Sequence, residues 1–403
     1  MYILFPGRHH LLTSFQFDYL KQVIAVQFEG AVDVDGKPFQ KMEVSGLIFA
    51  VTSANHSNTR RNPLPFYLRA MGLQVFSAGL GVPSYIYGVD DVGHLDNFAR
   101  YTIKKIRHES DECFDLSPKN AVVLCSTPVL EMYARLGFRI LPAELGDRAT
   151  YKMKTENPWD LVERIARSAD WEKDQVLAAK IHPASASIWQ EYRLGQKAKM
   201  LFSDRMIGDD GDITSTRDYN SYVRQMDEIA GLKYEDTASF IQSGRVGDIG
   251  CSAGSWIKLA CQDVRFRESD FYGIEVARHL YDLCLQRKHN GDFNSPFVFF
   301  SKKNAVMDLV FDEGSMNTIH TSSLTHEIVS YGSQADLLQF ISNRYRELVP
   351  GGVWINRDVV GPEEKDSMVL MRLCKNDGRS DNYEQAIEDR SELATYLKGL
   401  STF

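Results

Sequence analysis

Apolar positions in the first 150 or so residues fall into short continuous runs separated by polar, turn-rich segments. Met1–Phe5 is one run, broken by Pro6-Gly7, and Val44–Thr52 is a second that passes straight into the polar loop SANHSNTRRNPLP. Further apolar runs occur at Gln74–Ser77, Ser84–Gly88 and Ala121–Cys125, with helix-like segments at Asp96–Ile106 and Pro128–Leu136. Runs of this kind, alternating with helices, predict a parallel sheet covered on both faces. The polar loops at the C-terminal ends of the early strands are where open α/β sheets bind ligands. From about Trp159 to Ile241 the period changes. Apolar residues recur at helical spacing in Trp159–Ala169, Ser185–Met200 and Tyr219–Ile229, and no strand-like run appears. A second α/β block then begins. The pattern predicts an α/β chain of two Rossmann-like, doubly wound domains, 1–155 and 241–403, joined by a helical connector over 156–240.

A length of 403 residues suits two domains and a connector. With 43% hydrophobic and 25% charged residues, the composition is that of a globular protein with full cores. The 46 Lys+Arg against 54 Asp+Glu give a net charge of −8, which excludes a nucleic-acid grip built on overall basicity. No stretch reaches the roughly 18 uninterrupted apolar residues that span a bilayer, and MYILFPGRHH lacks the form of a secretory signal. The expected location is the cytoplasm, with no membrane partner. Cys113, Cys125, Cys251, Cys261, Cys284 and Cys374 match neither a zinc module nor a disulfide framework, so reduced thiols are expected. The acidic stretch Ile207–Asp218 departs from calcium-loop spacing and lacks a Glu at its twelfth position, which leaves a solvated loop. No metal site is expected.

The chemistry is densest at residues 245–255, RVGDIGCSAGS, where a short β run meets a glycine-rich turn and then a helical segment, Trp256–Val264. Gly250 and Gly254 let the backbone approach a ligand closely, and the helix start favours polar groups. Asp248 stands two residues before Gly250, and the spacing is not that of a dinucleotide fingerprint. FYGIEV (Phe271–Val276) then gives a second strand ending near Glu275, about 20 residues past the turn, where a carboxylate can hold both hydroxyls of a ribose.

These residues resemble the class I S-adenosylmethionine-dependent methyltransferase family. VGDIGCSAGSW is similar to that family's first motif, and Glu275 matches its ribose-binding acid. FVFFSKKNA (Phe297–Ala305) resembles the third strand and adenine-contacting turn, with Asn304 where Asp is usual. NTIHTSSLTHEI (Asn317–Ile328) resembles the fourth-strand motif, with Asn317 replacing a common Asp, and RELVPGGVWINRD (Arg346–Asp358) the turn into the fifth strand. The resemblance implies S-adenosylmethionine bound by Asp248, Gly250, Ser252, Gly254, Glu275, Asn304 and Ser323. His326 and Asp358 are the candidate bases, His326 equally as a residue orienting or capping its helix. Alternation sends His320 toward a packed face, and Trp256 and Tyr331 are core or pocket wall. The family's sheet has seven strands. After Asp358 only Ser367–Cys374 is strongly apolar and Tyr383–Leu400 favours helix, so the expectation is that missing strands lie beyond Phe403, the other reading being a shortened sheet edge.

The first block resembles the HxGH-type nucleotidyltransferases. FPGRHHLLTSFQFDYL is similar to their opening strand, Gly-Arg turn and helix, and Thr52–Met71 to the segment where an Asn-Pro pair precedes a helix carrying an Arg. Where that family has two histidines separated by x-Gly, this chain has Thr13-Ser14-Phe15-Gln16, and only Thr13 fits the pattern. The implied nucleotide-binding residues are Gly7, Arg8, His9, His10, Thr13, Asn62 and Arg69, with a nucleoside triphosphate and magnesium as ligands. Three readings stay open for this block: active nucleotidyl transfer, ligand binding without catalysis, and a structural or partner-binding role. Taken together, the sequence points to methyl transfer to a small-molecule or nucleotide-derived acceptor, the competing reading being a non-catalytic scaffold with two decayed sites.

Overall fold

A computed structural model describes residues 1–92, 97–204, 207–211 and 219–360, and the side chains of all of these but 219–221. In the first block the apolar runs become parallel strands: β1 (Tyr2–Gly7), β2 (Gly46–Thr52), β3 (Ser84–Val89), β4 (Ala121–Leu124) and β5 (Ile140–Leu141). The helices between them are α1 (Ser14–Ala25), α2 (Phe66–Ala78), α3 (Phe98–Glu109) and α4 (Leu130–Arg135). The strands pair in the order β3-β2-β1-β4-β5, parallel throughout. Alternate residues enter opposite cores. Ile3, Phe5, Leu47 and Phe49 pack with Leu20 of α1 and Phe76 of α2, whereas Leu4, Ile48 and Val123 pack with Ile106 of α3 and Tyr133 of α4. With both faces covered, neither parity of the strand can be polar, which is why the runs are continuous.

Two expectations change here. Gln74–Ser77 is not a strand but the last turn of α2, whose buried Leu68, Leu73 and Phe76 recur at helical spacing. β1 is not broken at Pro6-Gly7: Pro6 pairs in register with Ala50, and β4 pairs only with Tyr2–Leu4, so nothing on that side needs the missing N–H.

A small hairpin, β6 (Leu145–Asp147) and β7 (Lys152–Met153), leads into α5 (Pro158–Arg167), α6 (Gln175–Lys180), α7 (Pro183–Glu191), α8 (Leu194–Ser203) and α9 (Tyr219–Thr237). The helical period over Ser185–Met200 is two helices, separated at Arg193, which takes a left-handed conformation (φ 51°). The helical stretch divides between the blocks. α5–α8 share a core with Leu11, Leu64 and Leu68, and Trp189 Nε1 donates to the His10 carbonyl at 3.0 Å. Thr237, at the end of α9, instead accepts from Trp256 Nε1 in the second block at 3.0 Å.

The second block repeats the first topology. β8 (Arg245–Ile249), β9 (Asp270–Glu275), β10 (Val298–Lys302), β11 (Met316–Ser322) and β12 (Leu348–Arg357) pair as β10-β9-β8-β11-β12, again all parallel. The intervening helices are α10 (Ser255–Ala260), α11 (Arg278–His289), α12 (Thr325–Tyr331) and α13 (Gln334–Glu347). Val246, Phe271 and Val298 face one core; Ile249, Ile274 and Ile319 face the other. Beneath the second core Arg344 and Glu347, both fully buried, form an ion pair at 2.7 Å, and the Glu347 carboxylate also accepts the Val310 and Phe311 amides.

Residues Met1–Asp358 form one unit and Val359–Phe403 another. Ser367–Cys374, Tyr383–Leu400, Cys374 and the expected continuation past Phe403 all lie outside the described residues. Among the described residues no helix is long and apolar enough to cross a membrane. Cys125, Cys251 and Cys284 are buried free thiols, Cys261 is half-buried and Cys113 is exposed.

Gly247, in central β8, has no room for a side chain: a Cβ there would sit 2.6 Å from the ring of Phe311, which is itself buried. Gly247→Ala is expected to destabilise the protein by about 1–3 kcal/mol, read from denaturant unfolding. An unchanged midpoint would show that the Phe311 ring moves freely.

Candidate functional site

In the second sheet the chain order reverses between β8 and β11, and the ends of these strands open into a cleft. The turn after β8 forms its floor. Gly250 (φ +73°) and Gly254 (φ +77°) are left-handed, and a Cβ on Gly250 would press on Leu324 at 3.3 Å. Gly250 lines the cleft, whereas Gly254 does not, and a Cβ on Gly254 would meet the Phe293 ring at 3.0 Å. Ser252 (φ 51°) and Ser323 (φ 55°) share this conformation and also line the cleft.

The turn wraps around the Glu275 carboxylate. Ser252 N donates to one oxygen at 2.9 Å, and the Val276 and Ala277 amides donate to the other at 2.8 and 2.9 Å. Burial pushes this carboxyl up to about 7, against the three amides that favour its charged form.

Asp248 and His320 are register partners on β8 and β11, and Asp248 Oδ1 lies 2.7 Å from His320 Nδ1. The His320 ring stacks on Trp256, centroids 4.0 Å apart and planes 4° from parallel. His320 Nε2, Ser252 Oγ and Ser322 Oγ are buried and have no hydrogen-bond partner among the described residues. All three residues line the cleft, and buried polar atoms left unpaired are costly enough to call for a ligand. The His320 ring is packed against Trp256, as alternation predicts, and its edge also borders the cleft. Trp256 and Tyr331 line the cleft as well. The sequence reading also passed over Lys233 and Glu327 in its walls. Lys233 Nζ donates only to the Met226 sulfur at 3.6 Å, and burial pulls its pKa below the ordinary lysine value. The available signal was the parallel register, which sets Asp248 beside His320 once β8 and β11 are neighbours.

The remaining candidates lie farther out. Asn304 lines an apolar slot that adjoins the cleft, shared with Ile274, Val276, Ala305 and Leu324. Its Nδ2 donates to Asp204 at 2.9 Å and its Oδ1 accepts from Val306 N. Asn317 holds the Arg245 amide at 2.9 Å, a link between strands. His326 and Asp358 pair with each other, Nδ1 to Oδ1 at 2.6 Å, while Asp358 also accepts from Thr325 and from the His326 amide at the start of α12. Neither is among the residues lining the cleft.

A second cleft lies at the matching reversal of the first sheet, between β1 and β4. Gly7, Arg8, His9 and His10 line it, together with Gln16, Ser126, Glu144 and Trp159. Arg8 sits 4.8 Å over the Trp159 ring and donates to the Arg61 carbonyl. His10 is buried and His9 half-buried, and loss of solvent pulls His9 down to about 4 and His10 well below its ordinary value, so both are neutral at pH 7. Thr13 and Gln16 form a capping box at the start of α1, and Gln16 Nε2 donates to Glu144 at 2.7 Å. Asn62 lies 3.4 Å from His10 Nε2. Arg69 is buried, with its guanidinium on the Arg8, Thr52 and Ser53 carbonyls. Thr13, Asn62 and Arg69 brace the cleft from behind; they do not line it. Arg60 and Arg61 pair with Asp209 and Asp210 of the acidic stretch, so that stretch is an ion-paired clasp at its start; 212–218 lie outside the described residues.

No protein-family model matches this chain, and no curated protein does. Solved structures share part of its trace. A SAM-dependent methyltransferase from Aquifex aeolicus is 14% identical with a TM-score of 0.30, over 46% of this chain and 88% of that one. The geranyl diphosphate C-methyltransferase of Streptomyces coelicolor A3(2) is 20% identical with a TM-score of 0.27, over 38% and 54%. Phosphoethanolamine N-methyltransferase 1 of Haemonchus contortus is 14% identical with a TM-score of 0.28, over 37% and 33%. This chain therefore spans about half and a third of the length of the last two.

The raised pKa of Glu275 makes folding take up a proton between pH 4.5, its ordinary value, and about 7. Stability owed to this group is full below that window and falls as pH rises through it, by up to about 3 kcal/mol. Glu275→Gln should flatten this slope in unfolding curves at pH 5 and 7.5. An unaltered slope would place the carboxylate in water.

Proposed function

We propose that the second block binds S-adenosylmethionine in the β8–β11 cleft and transfers its methyl group to a small-molecule or nucleotide-derived acceptor. The observation that carries this reading is the left-handed glycine turn folded around a buried carboxylate at the strand-order reversal, with three unpaired polar atoms beside it. The residues present fit the cofactor. Glu275 Oε2, which accepts one amide, keeps a lone pair for a ribose hydroxyl, the apolar slot past Val276 and Leu324 suits a purine, and Ser252, Ser322 and His320 offer partners to an amino-acid end. When bound, S-adenosylmethionine supplies a methyl group already activated by its sulfonium. The protein's task is then to hold an acceptor in line and to keep water out. A base is needed only where the acceptor carries a proton on its reactive atom. His320 suits this role better than His326 or Asp358: Asp248 fixes Nδ1, which leaves Nε2 in the cleft to receive the proton.

For the first block, the bonds of Gln16 and the neutral histidines favour binding without catalysis. Gln16 stands where the nucleotidyltransferases have their final histidine, and it is occupied by Glu144. The proposal is that ATP or CTP, with magnesium, binds near Gly7, Arg8 and His10 and is not turned over.

Calorimetry with S-adenosylmethionine should show saturable binding, weakened about tenfold or more by Glu275→Ala, the loss of a hydrogen bond to a charged group. No binding at millimolar ligand would favour the scaffold reading, and an unchanged dissociation constant in the folded variant would place the cofactor elsewhere. In the first block, ATP or CTP should bind more weakly to Arg8→Ala and release no pyrophosphate. Pyrophosphate release would establish an active transferase instead, and absence of binding would remove the nucleotide from this cleft.

A further inference from the structure

A third cavity lies between α8, the 58–60 segment of the first block and the end of β10 in the second. Its lining carries five basic residues, Arg60, Arg193, Lys197, Lys302 and Lys303, against two acids, Asp204 and Asp308. Both acids are engaged: Asp204 accepts from Asn304 and from the Ile207 amide, and Asp308 accepts from Leu309 N. Lys303 Nζ donates to the Val310 carbonyl at 2.8 Å, and Lys197 makes no hydrogen bond or ion pair among the described residues. Burial lowers the pKa of both lysines, and for Lys197 the neighbouring Lys303 lowers it further. Lys197 is half-buried and Lys303 exposed at the cavity mouth, and like charges lining one cavity repel unless an anion joins them. The rest of the wall mixes polar residues such as Asn58, Gln196 and Ser301 with apolar and aromatic ones, Met200, Phe300, Tyr281 and Leu309.

We propose that this cavity binds a small molecule that carries a phosphate, sulfate or carboxylate group on an apolar body, its anion held between Lys197 and Lys303. Arg193 adds positive charge at the wall, the Arg60 charge being met by Asp209, and Phe300 and Met200 cover the apolar part. Val276, Lys303 and Asn304 also line the apolar slot, so the ligand sits beside the cofactor cleft without occupying it. The site stands whether or not S-adenosylmethionine binds next door.

The test is calorimetry of the full chain with phenyl phosphate, a probe of this chemistry that lacks both adenine and ribose. Saturable binding is expected, with Lys197→Met and Lys303→Met each weakening it about tenfold or more, and Lys197→Arg retaining it within about threefold. Glu275→Ala should leave phenyl phosphate affinity unchanged, which separates this site from the cofactor cleft. Thermal unfolding gives a second readout that tolerates no merely structural role. The charged Lys197 is held below its ordinary pKa, so its folded form is penalised at neutral pH; Lys197→Met should raise the Tm of the free protein and abolish the Tm rise caused by phenyl phosphate. No saturable binding at about 10 mM probe, an unchanged dissociation constant in Lys197→Met, or loss of binding in Glu275→Ala would each overturn the proposal.

Discussion

In a sheet ordered 3-2-1-4-5, the crossovers on either side of the central strand leave toward opposite faces, and the loops above it must part. Both blocks obey this constraint, and both candidate clefts lie at its consequence. Toward the C-terminal ends of the strands a polar group can be buried on the protein's side and still border the cleft. Asp248, His320 and Glu275 do so in the second block, and His9 and His10 follow β1 in the first.

The two clefts answer the constraint differently. In the first, the polar groups have been turned on one another. Gln16 and Ser126 hold Glu144, Arg69 spends its donors on three carbonyls, and Thr13 caps a helix. A site whose hydrogen bonds are already made can accept a ligand but has few groups left to do chemistry on it. In the second, the turn amides are spent on Glu275 while three side-chain atoms remain without partners. Among the described residues the first cleft keeps one such atom, His10 Nδ1, against three in the second, so the two clefts differ in degree.

Much of this was legible in the sequence. Continuous apolar runs located most strands because both faces are buried, and the Gly250–Gly254 turn with Glu275 could be placed since these depend on local conformation and a fixed spacing along the chain. What stayed hidden depends on partners distant in sequence. Alternation places His320 on a face but cannot say that the face ends in open space beside Asp248, 72 residues earlier. Gln74–Ser77 looked like a strand because a helix buried along much of its length shows short apolar runs too. The pairing of His326 with Asp358 joins a helix start to a strand end and follows only from the order of the strands.

The polar loop after β2 reaches in two directions. Ser53 and Arg61 line the first cleft, while Arg60 and Arg61 grip Asp209 and Asp210, and His56 accepts from Arg278 at the start of α11. One short segment thus contributes to the wall of one site and to the footing of another. For a lineage this removes a freedom that multidomain chains usually enjoy. Surface loops are where insertions and deletions are ordinarily tolerated, yet here a change in loop length would disturb two clefts at once.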